Sequence, residues 1–310
     1  MHLHIVGCTV VDIILPRVAK LPSWPEHTEF TPSNLVLLKH APILTLGGNG
    51  GNAAYVAAKC GAAVTLHTEL GQDALGTMAR GWLRDAGCDV RVGSHAEATG
   101  INVSAVNGRH QRATFFHPGT IVEMPAFSRR EEAPGMVLVC GWPHPAYNVL
   151  AARFRAVRRR GTFTVLDAGP ILGRPWSPEA LRAVLANLDL LLANEYELLR
   201  LMQAEDLDAA FARLRSFFQG HAVIKRGPKG ALWLPAESVR SHAVAGCRVR
   251  TVNTVGAGDS FNGALLAALG EKRDFEPAIR TACEVAAGVV SSRKGVLGAS
   301  DSAFRSLKAS

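Results

Sequence analysis

The sequence predicts an α/β protein of three layers, a mostly parallel central sheet covered by helices on both faces. Two observations carry this expectation. Short apolar runs alternate with stretches of helical character along most of the chain, the pattern of a parallel sheet with helices packed on each side. The composition is that of a folded globule, with 48% hydrophobic and 19% charged residues over 310 positions, which excludes a disordered chain.

The elements follow in order. Residues 3–6 form a first strand; the start is short and β-branched and has no basic segment, so it is not a signal peptide. Further strands are expected at 64–67, 136–140, 162–167, 188–192, 223–224 and 231–234. Helices are expected at 51–59, 74–85, 147–160, 178–186, 195–203, 207–219, 260–269 and 276–292. Two regions interrupt the rhythm. Residues 13–46 are rich in proline and polar groups, and residues 100–117 contain an alternating run that reaches Asn107-Gly108, a hairpin signal.

Charge and cysteine usage narrow the class. The formal charge is +8, but the arginines are scattered apart from Arg153 to Arg160, which is the solvated face of a helix before Gly161. A basic surface of this kind attracts phosphorylated small molecules and nucleotides, and nucleic acid is not an expected partner. The six cysteines are widely separated, contain no C-x-x-C pair and are read as buried free thiols of a reducing compartment. No apolar run approaches the roughly 20 residues that span a bilayer. The expected location is the cytoplasm, without membrane contact.

The chemistry concentrates at Thr251 to Leu266, where an apolar approach breaks at Gly256-Ala257-Gly258 and enters a helix. Backbone amides at such a start, with the helix dipole behind them, favour phosphate or developing negative charge. Asp259 stands at the lip as a candidate base or as a simple helix cap. Gly48-Asn49-Gly50-Gly51-Asn52-Ala53 formally matches the G-x-G-x-x-G/A turn of a dinucleotide site, with Glu69 at a suitable distance. Asn194 and Glu197, three residues apart at a strand-to-helix junction, suit a hydrated Mg²⁺ or a capping box. Lys225 and Lys229 flank a turn shaped by Gly227 and Gly230, and both lysines also fit an exposed surface. No Walker G-x-x-x-x-G-K-[ST] is present.

Several blocks together resemble the ribokinase-like (PfkB) carbohydrate kinases over nearly the whole chain. Residues 253–261, Asn-Thr-Val-Gly-Ala-Gly-Asp-Ser-Phe, are similar to the family's D-T-x-G-A-G-D-x-F, with Asn253 in place of the aspartate. Gly47-Gly48-Asn49-Gly50-Gly51-Asn52, Gly71-Gln72-Asp73-Ala74-Leu75-Gly76, Ala193-Asn194-Glu195-Tyr196-Glu197, Ile224 to Ala231 and Ser292 to Gly295 follow in the family's order.

The resemblance implies one ribokinase-like domain over residues 1–310, with a small β-lid from about 13–46 and 100–117. It implies ATP-dependent phosphorylation of a sugar-like hydroxyl, with Asp259 as general base and Gly256, Ala257 and Gly258 as the anion hole. Asp12, Gly47, Gly48 and Asn52 would hold substrate; the position two residues before Asp12, often Asn in ribokinases, is Val10. Asn194, Lys225, Gly227, Gly230, Thr254 and Val255 would line the nucleotide, and Asn194 and Glu197 would serve Mg²⁺. Asn253 puts the family's monovalent cation in doubt. The segment 141–144, Gly-Trp-Pro-His, is expected to border the substrate, and a lid-mediated homodimer is expected. Nucleoside phosphorylation, a non-catalytic sensor of sugar or nucleotide, and an NAD-dependent dehydrogenase are the alternatives.

Overall fold

A computed structural model describes residues 1–21, 32–93, 97–109, 111–120, 122, 124, 125, 127, 135–141, 147–169 and 177–304. The first half of the chain runs β1 (His2–Val6), β2 (Val10–Pro16), β3 (Ile43–Gly47), α1 (Asn49–Lys59), β4 (Ala63–Thr68), α2 (Ala74–Asp85), β5 (Asp89–Val92), β6 (Gly100–Val106), β7 (Arg112–His117) and β8 (Met136–Cys140). The second half adds α3 (Tyr147–Arg158), β9 (Phe163–Asp167), α4 (Pro178–Leu185), β10 (Leu190–Asn194), α5 (Glu195–Met202), α6 (Leu207–Arg215), β11 (His221–Lys225), β12 (Ala231–Leu234), β13 (His242–Val244), α7 (Ala257–Gly270) and α8 (Phe275–Val290). Among the described residues no helix is long and apolar enough to cross a membrane.

A nine-stranded sheet with the order β13-β12-β11-β10-β9-β8-β1-β4-β5 forms the centre. It is parallel from β11 to β5, and β12 and β13 close one edge antiparallel. Its strands are apolar on both faces because helices cover both. Leu190, Leu192 and Val223 point into the core shared with α1, α7 and α8, while Leu191, Ala193 and Ile224 point into the core shared with α3, α5 and α6. In α3, Phe154 and Val157 turn inward and Arg155 and Arg158 face solvent, as the basic run requires. All six cysteines are free; Cys8 and Cys247 are only half-buried, in contrast to the expectation for them.

A second sheet of four strands, ordered β3-β2-β6-β7, stands apart as the small lid. It begins earlier than the sequence suggests. Only Gly7, Cys8 and Thr9 separate β1 from β2, so the chain passes from the central sheet into the lid at once, and the lid includes Val10, Val11 and Asp12. The hairpin at Asn107-Gly108 is present, but the loop is longer than the dipeptide, because Val106 pairs with Arg112. The Asn107 carboxamide oxygen accepts from the amides of Arg109 and Gln111 inside it. Asp73 ties this lid to the main body: it caps α2 through the Gly76 amide at 2.7 Å and accepts from the Thr99 amide and hydroxyl just before β6. The part of the expected lid between 22 and 31 lies outside the described residues.

Candidate active site

The carboxyl ends of the parallel strands gather the polar groups, as in open α/β sheets generally. β9 ends on Asp167, β10 on Asn194 and β11 on Lys225. Above them α7 begins at Ala257, three residues earlier than the sequence suggests, with Gly256 as its cap in a left-handed conformation at φ 73°. That correction removes the capping reading of Asp259. It lies inside the first turn and does not cap the helix; its Oδ2 instead accepts from Asn52 Nδ2 at 3.1 Å.

Close backbone packing brings Asn52 there. A methyl on Gly263 of α7 would collide with the Ala53 carbonyl of α1, and one on Gly256 would lie 2.8 Å from Asn52 Nδ2. In the first turn of α1, a Cβ on Gly7 would lie 2.8 Å from Gly50 Cα, and one on Gly50 would lie 2.6 Å from the Gly7 carbonyl carbon. The amides of Gly50 and Gly51 both donate to the Cys8 carbonyl at 3.1 Å. Gly48 has φ 82° and abuts Cys8, while a Cβ on Gly47 would sit 2.5 Å from the Asp12 carboxyl carbon. These glycines let the lid strands, α1 and α7 converge. The dinucleotide reading of the same turn fails on topology: β3 pairs with β2 in the lid, and β4 pairs with β1 in the central sheet, so no single-sheet βαβ unit is formed.

A buried charge cluster lies beneath the α7 start. Lys225 is not exposed: its Nζ lies 2.8 Å from Asp167 Oδ1 and 3.1 Å from Asn262 Oδ1, and a Cβ on Gly258 would be 3.6 Å from it. Burial works against its charge, but the Asp167 and Glu197 carboxylates outweigh it and hold the ammonium above its ordinary range. Burial and then the Asp167 carboxylate push Asp259 up to about 7, with the Asn52 hydrogen bond and Lys225 acting in the opposite direction. Burial also raises Glu197, helped by Asp167.

Asn194 and Glu197 form the capping box: Asn194 Oδ1 accepts from the Glu197 amide at 2.8 Å and Glu197 Oε2 from the Asn194 amide at 2.7 Å. The box engages Oε2 of Glu197. Gly227 faces open space, whereas Gly230 is buried against Val244, so Gly230 shapes the turn. Thr254 is exposed, and the Val255 amide donates to Asn253 Oδ1 at 3.0 Å. The Asn253 amide group in turn donates to the Arg293 carbonyl at 3.3 Å. Of the segment expected to border the substrate, residues 142–144 lie outside the described residues.

In the lid, Asp12 is buried, and burial pushes its carboxyl up to about 6 against the hydrogen bond from Asn102 and the charge of Arg112. Asn102, Asp167 and Asn262 are the polar groups of this region that the sequence did not single out. Asp167 carried one usable signal, since it ends a predicted central strand. Asn52 Oδ1, Asn102 Oδ1 and Asn262 Nδ2 are buried without a hydrogen-bond partner, an arrangement that suits a polar ligand.

The fold and this constellation define a kinase of the ribokinase type. Residues 23–301 match the model described as pfkB family carbohydrate kinase. The chain belongs to the pfkB family of carbohydrate kinases. It is 27% identical over 256 residues to the ribokinase of Arabidopsis thaliana, covering 77% of this chain and 65% of that protein. The structure of Arabidopsis thaliana ribokinase complexed with ribose and ATP superposes with a TM-score of 0.79 at 22% identity, over 99% of this chain and 98% of that one. The Burkholderia thailandensis nucleoside kinase in complex with inosine gives 0.72 at 20% identity, over 97% and 95%.

Proposed function

We propose that this single kinase domain transfers a phosphoryl group from ATP to a hydroxyl of a sugar or sugar-like molecule, with Asp259 as general base. The observation that carries the reading is Asp259 itself, half-buried in the first turn of a glycine-started helix, pushed up to about 7 and fixed by Asn52. A carboxylate of that proton affinity removes a hydroxyl proton near neutral pH more effectively than an ordinary aspartate. The amides of Gly256, Ala257, Gly258 and Asp259 hold the charge of the transferring group, and Lys225 beneath Gly258 adds a fixed positive charge.

The residues fit a magnesium-bound nucleotide. The α7 start offers backbone amides over a buried ammonium, that of Ala257 being shared with the Thr254 carbonyl at 3.4 Å, and Glu197 with Asn194 offers oxygen donors beside it. Mg²⁺ bound to ATP neutralises charge on the phosphates. Gly227, Thr254 and Val255 line the approach, with Gly230 setting the turn. Asp12, Gly47, Gly48 and Asn52 hold the acceptor. Asn253 uses both ends of its amide internally, and its neutral oxygen, already accepting one hydrogen bond, is a weaker partner for a monovalent cation than a carboxylate.

The ribokinase structure named above holds ribose and the nucleoside kinase holds inosine, so a nucleoside is the second acceptor class. Leu44 and Phe115, 41% and 65% exposed, share one cross-strand row of the lid through Ile13 and Val103. This apolar row supports a homodimer through the lid, which sedimentation of wild type and Phe115→Glu tests. The function is tested by Mg²⁺-dependent ADP release across sugars, sugar acids and nucleosides, with Asp259→Asn beside the wild type. Acceptor-dependent release that the variant lacks is the expected result; ligand binding without ADP points to a sensor.

A further inference from the structure

Thr45, Asp12, Asn102 and Phe116 form one cross-strand row on the lid sheet, because each is the Cα partner of the next across β3, β2, β6 and β7. Neighbours in such a row share a face. The Thr45 hydroxyl is already engaged, donating to the Lys294 carbonyl at 2.6 Å. Asn102 is engaged on one side only: Nδ2 donates to Asp12 Oδ1 at 2.9 Å, while Oδ1 is buried with no partner. The amide orientation is set by chemistry, since a carboxylate accepts and only the NH₂ end can face it. An asparagine that served solely to steady Asp12 would be expected to satisfy its carbonyl as well. Two residues before Asp12, on the same face of β2, Val10 contributes no polar group.

We infer that Asn102 is a substrate-specificity residue whose carbonyl oxygen accepts from one hydroxyl of a vicinal diol while Asp12 accepts from the neighbouring one. Two acceptor groups joined by a single hydrogen bond are spaced to meet hydroxyls on adjacent carbons. The substrate is therefore a sugar or nucleoside with both hydroxyls, and analogues lacking one are disfavoured. The inference rests on the kinase reading for the hydroxylated nature of the ligand, but its test does not depend on turnover.

Binding by calorimetry and turnover by ADP release are measured in parallel on the wild type, Asn102→Leu and Asn102→Ser. The probes are D-ribose, D-fructose and inosine, each beside analogues lacking one diol hydroxyl. The wild type is expected to favour at least one diol over its deoxy analogue by about tenfold to a hundredfold, as a site built to bond a hydroxyl does. Asn102→Leu should reduce that ratio to near unity for the analogue lacking the hydroxyl that Asn102 binds, by weakening diol binding, while the ratio for the hydroxyl that Asp12 binds persists; Asn102→Ser should lower the same ratio and serves if the leucine variant does not fold. Ratios retained for both deoxy analogues in the folded variants mean a merely structural asparagine and overturn the proposal, as does a wild type that binds none of the diols. Diol-selective binding that depends on Asn102 but yields no ADP upholds the proposal and defeats the kinase reading instead.

Discussion

Two carboxylates in this molecule are each held by one asparagine, Asp259 by Asn52 and Asp12 by Asn102, and in both pairs the amide carbonyl is buried and unpartnered. Burial raises both acids, to about 7 and about 6. Their surroundings differ. Asp259 lies among Asp167, Glu197 and Lys225 at the glycine-lined start of α7, whereas Asp12 sits in the lid with only the charge of Arg112 bearing on it. The same local pair therefore stands in two electrostatic settings. On the proposed function these give it two purposes: proton exchange where further carboxylates and an ammonium surround it, and positioning of hydroxyls where they are absent.

The largest effect should separate the pairs outright. Asp259→Asn is expected to lower kcat by about a hundredfold to ten-thousandfold, the range for loss of a general base, with an unchanged circular dichroism spectrum. Asp12→Asn should instead raise KM for the acceptor by about tenfold, the scale of one hydrogen bond to a charged group, and leave kcat nearly intact. Equal losses of kcat in both variants would break the comparison.

A pH profile sharpens it. On the proposed function the active base is the ionised Asp259, so kcat should fall on the acid side of about 7. Lys225 lowers that proton affinity, and Lys225→Met removes the favourable charge; the acid limb should then move to higher pH. Asp12→Asn should leave the limb of kcat where it is. The smallest effect expected is that of K⁺, which should stimulate little or not at all over a bulky inert cation, with Asn253→Asp restoring a response. Strong stimulation of the wild type would show that Asn253 gives up its internal bonds to a cation.

The two pairs were not equally legible in the sequence. Asp259 could be found because everything that marks it is local: an apolar approach, three small residues and a helix within one stretch of chain. Its partner Asn52 was found because it too sits in a glycine-rich turn. Asp12 was identified through resemblance, but its strand was not, since β2 is a continuous apolar run broken by one acid and bounded by Pro16, without the alternation of a half-buried strand. Asn102 and Asp167 acquire their meaning from partners 90 and 58 residues away. No window along the chain contains both members, so only the folded register of β2 with β6, and the adjacent strand ends of the central sheet, bring them into view.

The contact of Gly7 with Gly50 has a consequence beyond packing. Two backbones meet there with only hydrogens between them, one at the end of β1 and one in the first turn of α1. A methyl on either side meets backbone rather than a yielding side chain, so the elements themselves would have to shift. Asn52 is carried on α1, so such a shift would disturb its hydrogen bond to Asp259. The Asn52–Asp259 hydrogen bond is thus gauged in part by a spacer two hydrogen atoms thick.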